Sequence, residues 1–403
     1  KTIENQTDET FTSVTDLLSN IMFTNYSVRN DGRAKLNYTH RFDDITKLEA
    51  GLQSNLAFRN FDLTNKIFNQ SINNFDIDPA LTNKFNLRNN VYAGFVSFSS
   101  EIAGFSYMLG LRGEYMDRFL DQKTLSNSFA FSKMDYFPSV NISRWIDDHQ
   151  LQLSYSRRIN RPNDNLLNPF PFYSDPSITI SGNPKLMPEY IDALELNYQK
   201  MYGSVFVSLQ TYYRKSKDSF SQTFSVDTSG TLNIMYDNYG NSDVYGAEIS
   251  TSFSVAEFLR FDPSINLFQN HIDGKVNGAN VEKDFFNWSV RLNSTLSFSP
   301  DTRLMFSVNT MKFVDAQSES NLFAFITASF RQDFFDKAMS LTLQARNLFG
   351  TTDFKVNTIG SNFTRNSLVK PEAPVVTLLF SYNFNNFKES RRPNDNIDIP
   401  TGL

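Results

Sequence analysis

The chain has 403 residues, a formal net charge of −5 and no cysteine, with a pI near 5.4. Thiol catalysis, thiolate metal sites and disulfides are thereby excluded, and no basic footprint for nucleic acid is present. Phe is abundant at 40, beside 17 Tyr and 2 Trp. Yet mean hydropathy is −0.38 and no run of about 20 apolar residues occurs, which excludes a membrane-spanning helix.

The opening "KTIENQTDETFTSVTD" carries no basic, apolar leader and reads as the interior of a longer chain. From there the pattern is period-two alternation, the mark of strands with two unlike faces. Strands are expected over 33–42, 46–59, 84–100, 105–118, 131–145, 150–159, 189–200, 204–215, 233–255, 258–271, 282–299, 302–315, 321–334, 338–349 and 369–384. That makes 15, or 16 if 21–28 is a separate first strand. In "GFSYMLGLRGEY", Phe105, Tyr107, Leu109 and Leu111 alternate with Ser106, Met108, Gly110 and Arg112. In "FNWSVRLNSTLSFS", Trp288, Val290 and Leu292 alternate with Ser289, Arg291 and Asn293.

The connections decide between architectures. Very short links recur at Asp43–Asp44, Glu101–Gly104, Asp147–Asp148, Met201–Gly203, Ala256–Glu257, Pro300–Asp301 and Phe335–Lys337. Between them lie long polar links, at about 60–83, 119–130, 159–188, 216–232, 272–281, 316–320 and 350–368. Strict short–long alternation is the habit of an antiparallel transmembrane β-barrel, with tight turns at one rim and long loops at the other. A soluble sandwich has no reason for it, and no propeller blade repeat is visible. Phe42, Tyr92, Tyr115, Phe137, Tyr198, Tyr202, Tyr212, Phe298, Phe334, Phe349 and Phe384 fall near strand ends, as aromatic girdles do. One barrel domain is expected over 1–384, and 385–403 reads as a periplasmic tail.

Four stretches, in order, resemble TonB-dependent outer-membrane receptors: "GNPKLMPEYIDALELNYQK" (182–200), "YGNSDVYGAEISTSF" (239–253), "LTLQARNLFGTTDF" (341–354) and "VTLLFSYNF" (376–384). "SYSRRINRPNDNLLNPFPFYSDP" further resembles the Bacteroidota-type outer-membrane β-barrel branch. The resemblance implies a plug, an energy-coupling box and a barrel of about 22 strands. No plug is seen here, so the chain reads as the carboxy-terminal part of such a receptor. An open set of strands would expose edges within lipid, so missing strands, a partner or closure as a smaller barrel is required. The final aromatics Phe380, Tyr382 and Phe384 are implied to be the signal read by the barrel assembly machinery.

Residues 159–188 read as a loop stiffened by Pro162, Pro169, Pro171, Pro176, Pro184 and Pro188. Phe170, Phe172 and Tyr173 with Arg161 are candidates for a ligand-facing surface; packing of the loop onto the barrel mouth explains the aromatics equally. Arg157, Arg158 and Arg161 suit lipopolysaccharide phosphates, or ordinary pairing with Asp164, Asp175 or Glu189, the reading favoured. If the apolar rows face lipid, then Arg112, Glu114, Gln152, Glu248, Arg291, Asn293 and Gln344 line the lumen. The three histidines, His40, His149 and His271, show no catalytic spacing. Asp76 and Asp78 read as solvated carboxylates rather than a calcium site.

The sequence reading is therefore a receptor or transporter barrel in the outer membrane, long loops outside and short turns in the periplasm. It takes up a siderophore, glycan or peptide and has no cofactor and no enzymatic role. Expected partners are outer-membrane lipid and lipopolysaccharide, a plug domain, an energy-coupling protein and the barrel assembly machinery. The alternatives are a non-transporting barrel that binds a surface protein partner, and a passive pore of about 16 strands.

Overall fold

The computed structural model describes residues 2–12, 17–69, 71–175, 177–360 and 362–384. Nineteen strands join one sheet. Three of them, Asn74–Ile77, Phe172–Asp175 and Ile178–Ser181, belong to loops. The other sixteen form an antiparallel meander, each pairing with the next in chain order from Thr2–Thr12 to Val375–Tyr382. Among the described residues the two outermost strands pair on one side only.

The fifteen expected strands are all present, but residues 21–28 are not a separate one. They lie inside Leu17–Arg41, and the further strand is Thr2–Thr12, where the sequence showed no alternation. Four of the expected long loops are largely hairpin extensions. Strands run on to Asn69, Gln122, Val226 and Val276. Beyond the membrane the outward face meets water instead of lipid, while the inward face is covered and partly apolar (Leu120 and Ile272 are each 2% exposed), so the apolar-out, polar-in alternation disappears while the backbone ladder continues. Ala103-Gly104 and Asn277-Gly278, at opposite ends of the sheet, have positive φ at both positions, the pattern of two-residue hairpins. Three links keep a loop character: 161–188, 312–322 and 347–374. The last two pair with each other through Ser318–Ser320, Phe354–Ile359 and Thr364–Val369 as a separate three-stranded sheet. The stretch 385–403 lies outside the described residues.

Burial is inverted relative to a water-soluble sheet. Leu111 is 49% exposed, whereas its neighbour Arg112 is 9% and Glu114 4% exposed. Phe286, Trp288 and Phe298 are exposed while Asn287 is buried. An apolar face turned outward and a polar face turned inward is the pattern of a sheet whose outer solvent is lipid. Exposed aromatics mark two levels on the apolar face: Phe42, Tyr202 and Phe298 near the tight turns, and Tyr92, Tyr115, Tyr213 and Tyr245 further up. Two residues expected in the girdles are not there. Phe137 pairs with Arg112 and Tyr212 with Glu195, so both sit buried on the polar face. The Tyr212 hydroxyl donates to Asn266 (2.9 Å), a partner that lipid does not offer.

Candidate functional site

The proline-broken excursion between His149–Asn160 and Glu189–Tyr202 folds onto the polar face. A 3₁₀ turn over Asp164–Leu167 begins it, capped by the Asn163 side chain, which accepts from the Asn165 and Leu166 amides. Leu167 and Leu186 are 1% and 0% exposed, packed with Phe85, Leu87 and Leu120 of two neighbouring strands. The Gln122 amide donates to Asn83 (2.8 Å) and to Asn168 (2.9 Å), tying the loop to the sheet. Arg118 donates to the Leu186 carbonyl (3.0 Å) and lies 5.0 Å from the Phe131 ring centroid. On the far side, Asn183 donates to Asp237 (3.1 Å), and Asn238 accepts from the Met187 amide (2.9 Å). Ile178–Ser181 adds a parallel strand to Leu232–Met235. The loop therefore bridges two separated parts of the meander.

Gly182 occupies the tightest point of that bridge. A Cβ there would lie 2.6 Å from the Asn168 carbonyl oxygen and 2.7 Å from the Asn168 nitrogen, both backbone atoms. Gly182→Ala is expected to detach the loop, read as faster protease cleavage within 161–188 while the strands stay protected. Leu186→Ala is expected to cost about 2–5 kcal/mol for the same seat. Unchanged cleavage in both variants would contradict the packing role.

Beneath the loop the sheet has a cleft. The ladder between Asn127–Ile146 and His149–Asn160 ends at Ser139↔Ser156. The next residue up is Pro138, which has no N–H to continue it. A cleft of about 280 Å³ opens there, lined by Arg112, Glu114, Tyr155, Arg157, Arg158 and Arg161 among others. Glu114 accepts from Arg112 and from Arg161, both at 2.5 Å. Above the cleft Tyr190 replaces the missing ladder: its hydroxyl donates to Asp135 (3.0 Å) and accepts from Lys133 (2.8 Å). Its ring packs with Phe137 and Ile159.

Two of the three arginines meet an acid, though neither Asp164 nor Glu189, and the Asp175 side chain lies outside the described residues. Arg161 pairs with Glu114, Arg158 approaches Glu195 (4.0 Å), and Arg157 lies 5.5 Å from the Tyr190 ring centroid. Asp164 is held instead by Arg59 (3.0 Å), and Glu189 accepts from Asn160 and Ser219. Phe170 is buried in the loop's packing and Phe172 is exposed at its edge. Tyr173 pairs with Thr179 through the backbone, and its side chain lies outside the described part.

Gln152, Glu248, Arg291, Asn293 and Gln344 lie on the polar face of four different strands, Arg291 and Asn293 sharing one, and the four strands do not bring them into one cluster. Glu248 accepts from Ser264 (2.8 Å) and Ser250 (3.3 Å). A second hub was missed: Glu195 accepts from Arg214 (3.2 Å) and Gln210 (3.1 Å). Its place in the alternation of "ALELNYQ" was the readable signal. Arg118 and Gln122 were assigned to a strand end and a loop, and only their tertiary partners reveal them. Among the described residues no group of three or more His, Asp or Glu side chains is placed to hold a metal ion. Phe380 and Tyr382 are exposed on the last strand, and Phe384 lies just past its end, edge-on to Tyr382 at 4.6 Å.

The model of the family described as "Outer membrane protein beta-barrel family" matches residues 1–382. The chain belongs to the outer membrane protein beta-barrel family. Its sheet is similar to the copper transporter OprC (TM-score 0.64, 14% identity, 89% of this chain and 59% of that one). It is also similar to the ferric yersiniabactin uptake receptor FyuA from Yersinia pestis (0.60, 13%, 90% and 55%) and to the ferric citrate transporter FecA (0.57, 10%, 89% and 55%). This family member thus spans little more than half the length of these solved structures. At such identity the likeness is one of fold, and in the fold the resemblance to TonB-dependent receptors is borne out. A search of curated proteins gives no match.

Proposed function

We propose that this chain is the barrel portion of an energy-coupled outer-membrane uptake receptor. The observation that carries the reading is the architecture: an outward-apolar meander whose polar face is covered at one end by the folded loop 161–188. In this reading the polar face lines a lumen, and Arg112, Glu114, Gln152, Glu248, Arg291, Asn293 and Gln344 face a plug or water. The end bearing loop 161–188 is extracellular, the tight turns and the 385–403 tail are periplasmic, and Phe380, Tyr382 and Phe384 serve assembly. Domain limits of 1–384 for the barrel follow the same reading. A plug and an inner-membrane energy-coupling protein supply the mechanical step, outer-membrane lipid and lipopolysaccharide surround the wall, and no residue acts as a catalyst. The unpaired outer edges support further strands, because exposed backbone groups are not tolerated in hydrocarbon.

The test is the mass and behaviour of the native polypeptide. Extraction from outer membranes is expected to yield a species well above 46.3 kDa, with uptake abolished when the proton-motive force is dissipated. The 403-residue chain expressed alone is expected not to restore such uptake in a receptor-deficient strain. A native species near 46.3 kDa with steady conductance in planar bilayers would overturn this and favour a passive sixteen-stranded pore. A stoichiometric surface partner without uptake would favour a structural subunit.

A further inference from the structure

Loop 161–188 does more than cover the polar face. Between it and the hairpins nearby lies a second cavity, of about 780 Å³, separate from the arginine-lined cleft. Its wall is unusual for this chain. One residue in five is charged overall (20%), yet none of the sixteen lining residues is Asp, Glu, Lys or Arg. The apolar surface comes from four separate segments: Phe61 and Phe85 on two paired strands, with ring centroids 5.3 Å apart, Phe170 and Phe172 on the loop, and Tyr236 on a further strand.

The polar groups of the wall are mostly side-chain amides, and their orientation is set. Asn83 and Asn168 both use their carbonyl oxygens to accept from Gln122, and Asn168 accepts from the Phe170 amide as well (3.2 Å). Their NH₂ groups have no acceptor among the described residues. The Asn165 side chain, also in the wall, makes no hydrogen bond to the described residues. Among the described residues the cavity therefore offers apolar surface and amide donors, and no ionic partner. A charged ligand would lose hydration there without compensation.

We infer that this cavity is the ligand-capture site. It selects an uncharged molecule with an apolar ring-like body and carbonyl or ether oxygens along one edge. The size fits a small-molecule pocket. The inference rests on the uptake reading for its purpose, but the site's chemistry stands on the cavity itself.

The probe is benzophenone, an uncharged aromatic ketone that cross-links on irradiation, against its carboxylate 4-benzoylbenzoate. The intact receptor in outer-membrane vesicles is irradiated with each, and adducts are mapped by peptide mass. Benzophenone adducts are expected on the cavity segments around Phe85, Leu166–Phe172 and Tyr236. They should exceed those of 4-benzoylbenzoate by about tenfold, the effect of an uncompensated buried charge. Phe172→Asp places a charge at the exposed lip (Phe172 is 62% exposed) without disturbing the packed seat. It should cut cavity adducts to about a tenth while leaving adducts on the lipid-facing strands unchanged. Asn165→Leu removes one donor and should lower cavity labelling about threefold. Equal labelling by the carboxylate overturns the inference, and so does cavity labelling indifferent to both substitutions. Neither reading needs an energy source, so a failure here is distinct from a failure of energised uptake.

Discussion

Replacing Leu292 with Arg is expected to destabilise the membrane-inserted chain by about 2–4 kcal/mol, whereas Asn293→Arg should change stability by less than about 0.5 kcal/mol. The two residues are neighbours in one strand, so propensity and chain position are shared and only the face differs. Leu292 lies on the apolar face, midway between the exposed rings of Phe286 and Phe298. At about 3.3 Å per residue those rings are roughly 40 Å apart along the strand, close to 28 Å once a tilt near 45° is allowed. That places Leu292 at the bilayer midplane, where an arginine costs most. Asn293 pairs with Asp262 and Ser307 on the polar face, where water or protein solvates a guanidinium. Unfolding in lipid vesicles measures both. Equal costs for the two variants would reverse or abolish the assignment of the faces.

Glu114→Ala is expected to be the most damaging change on the polar face. The carboxylate is almost fully enclosed and holds two guanidinium groups, one from its own strand and one from the loop. Removing it leaves Arg112 and Arg161 facing each other with no counter-charge, which typically costs about 3–5 kcal/mol when the site is dry. Arg161 retains some contact with water, so a value near the lower end is expected. The loop should loosen at the same time, because Arg161 is its first residue. A double-mutant cycle separates the terms: with Arg161→Met already present, Glu114→Ala should cost clearly less, since one stranded charge has gone. Strict additivity of the two substitutions would show that the pair is not energetically coupled.

Much of this was legible from residue patterns alone. Period two and the unlike rows of Phe105–Leu111 and Ser106–Arg112 determined the strands and their two faces, because side chains alternate whatever the sheet's partners. The alternation of short and long links determined an antiparallel meander with two different rims. Four family-like stretches pointed to an outer-membrane receptor. Strand ends were less legible. Above the membrane the outward face turns to water and the inward face packs against loops, so the extensions to Gln122 and Val276 lose the apolar-out, polar-in alternation that marks a membrane strand. Phe137 and Tyr212 were misplaced for a related reason: an aromatic at a strand end favours either face, and only register with Arg112 and Glu195 decides. Tertiary structure alone decided how loop 161–188 sits. Its six prolines announce a stiff excursion but not a destination. The destination depends on Leu167 and Leu186 finding Leu87 and Leu120, on Arg161 finding Glu114 forty-seven residues earlier, and on Gly182 admitting the Asn168 backbone. Such contacts join parts of the chain that local patterning cannot relate, and they shape both the arginine-lined cleft and the uncharged cavity beside it.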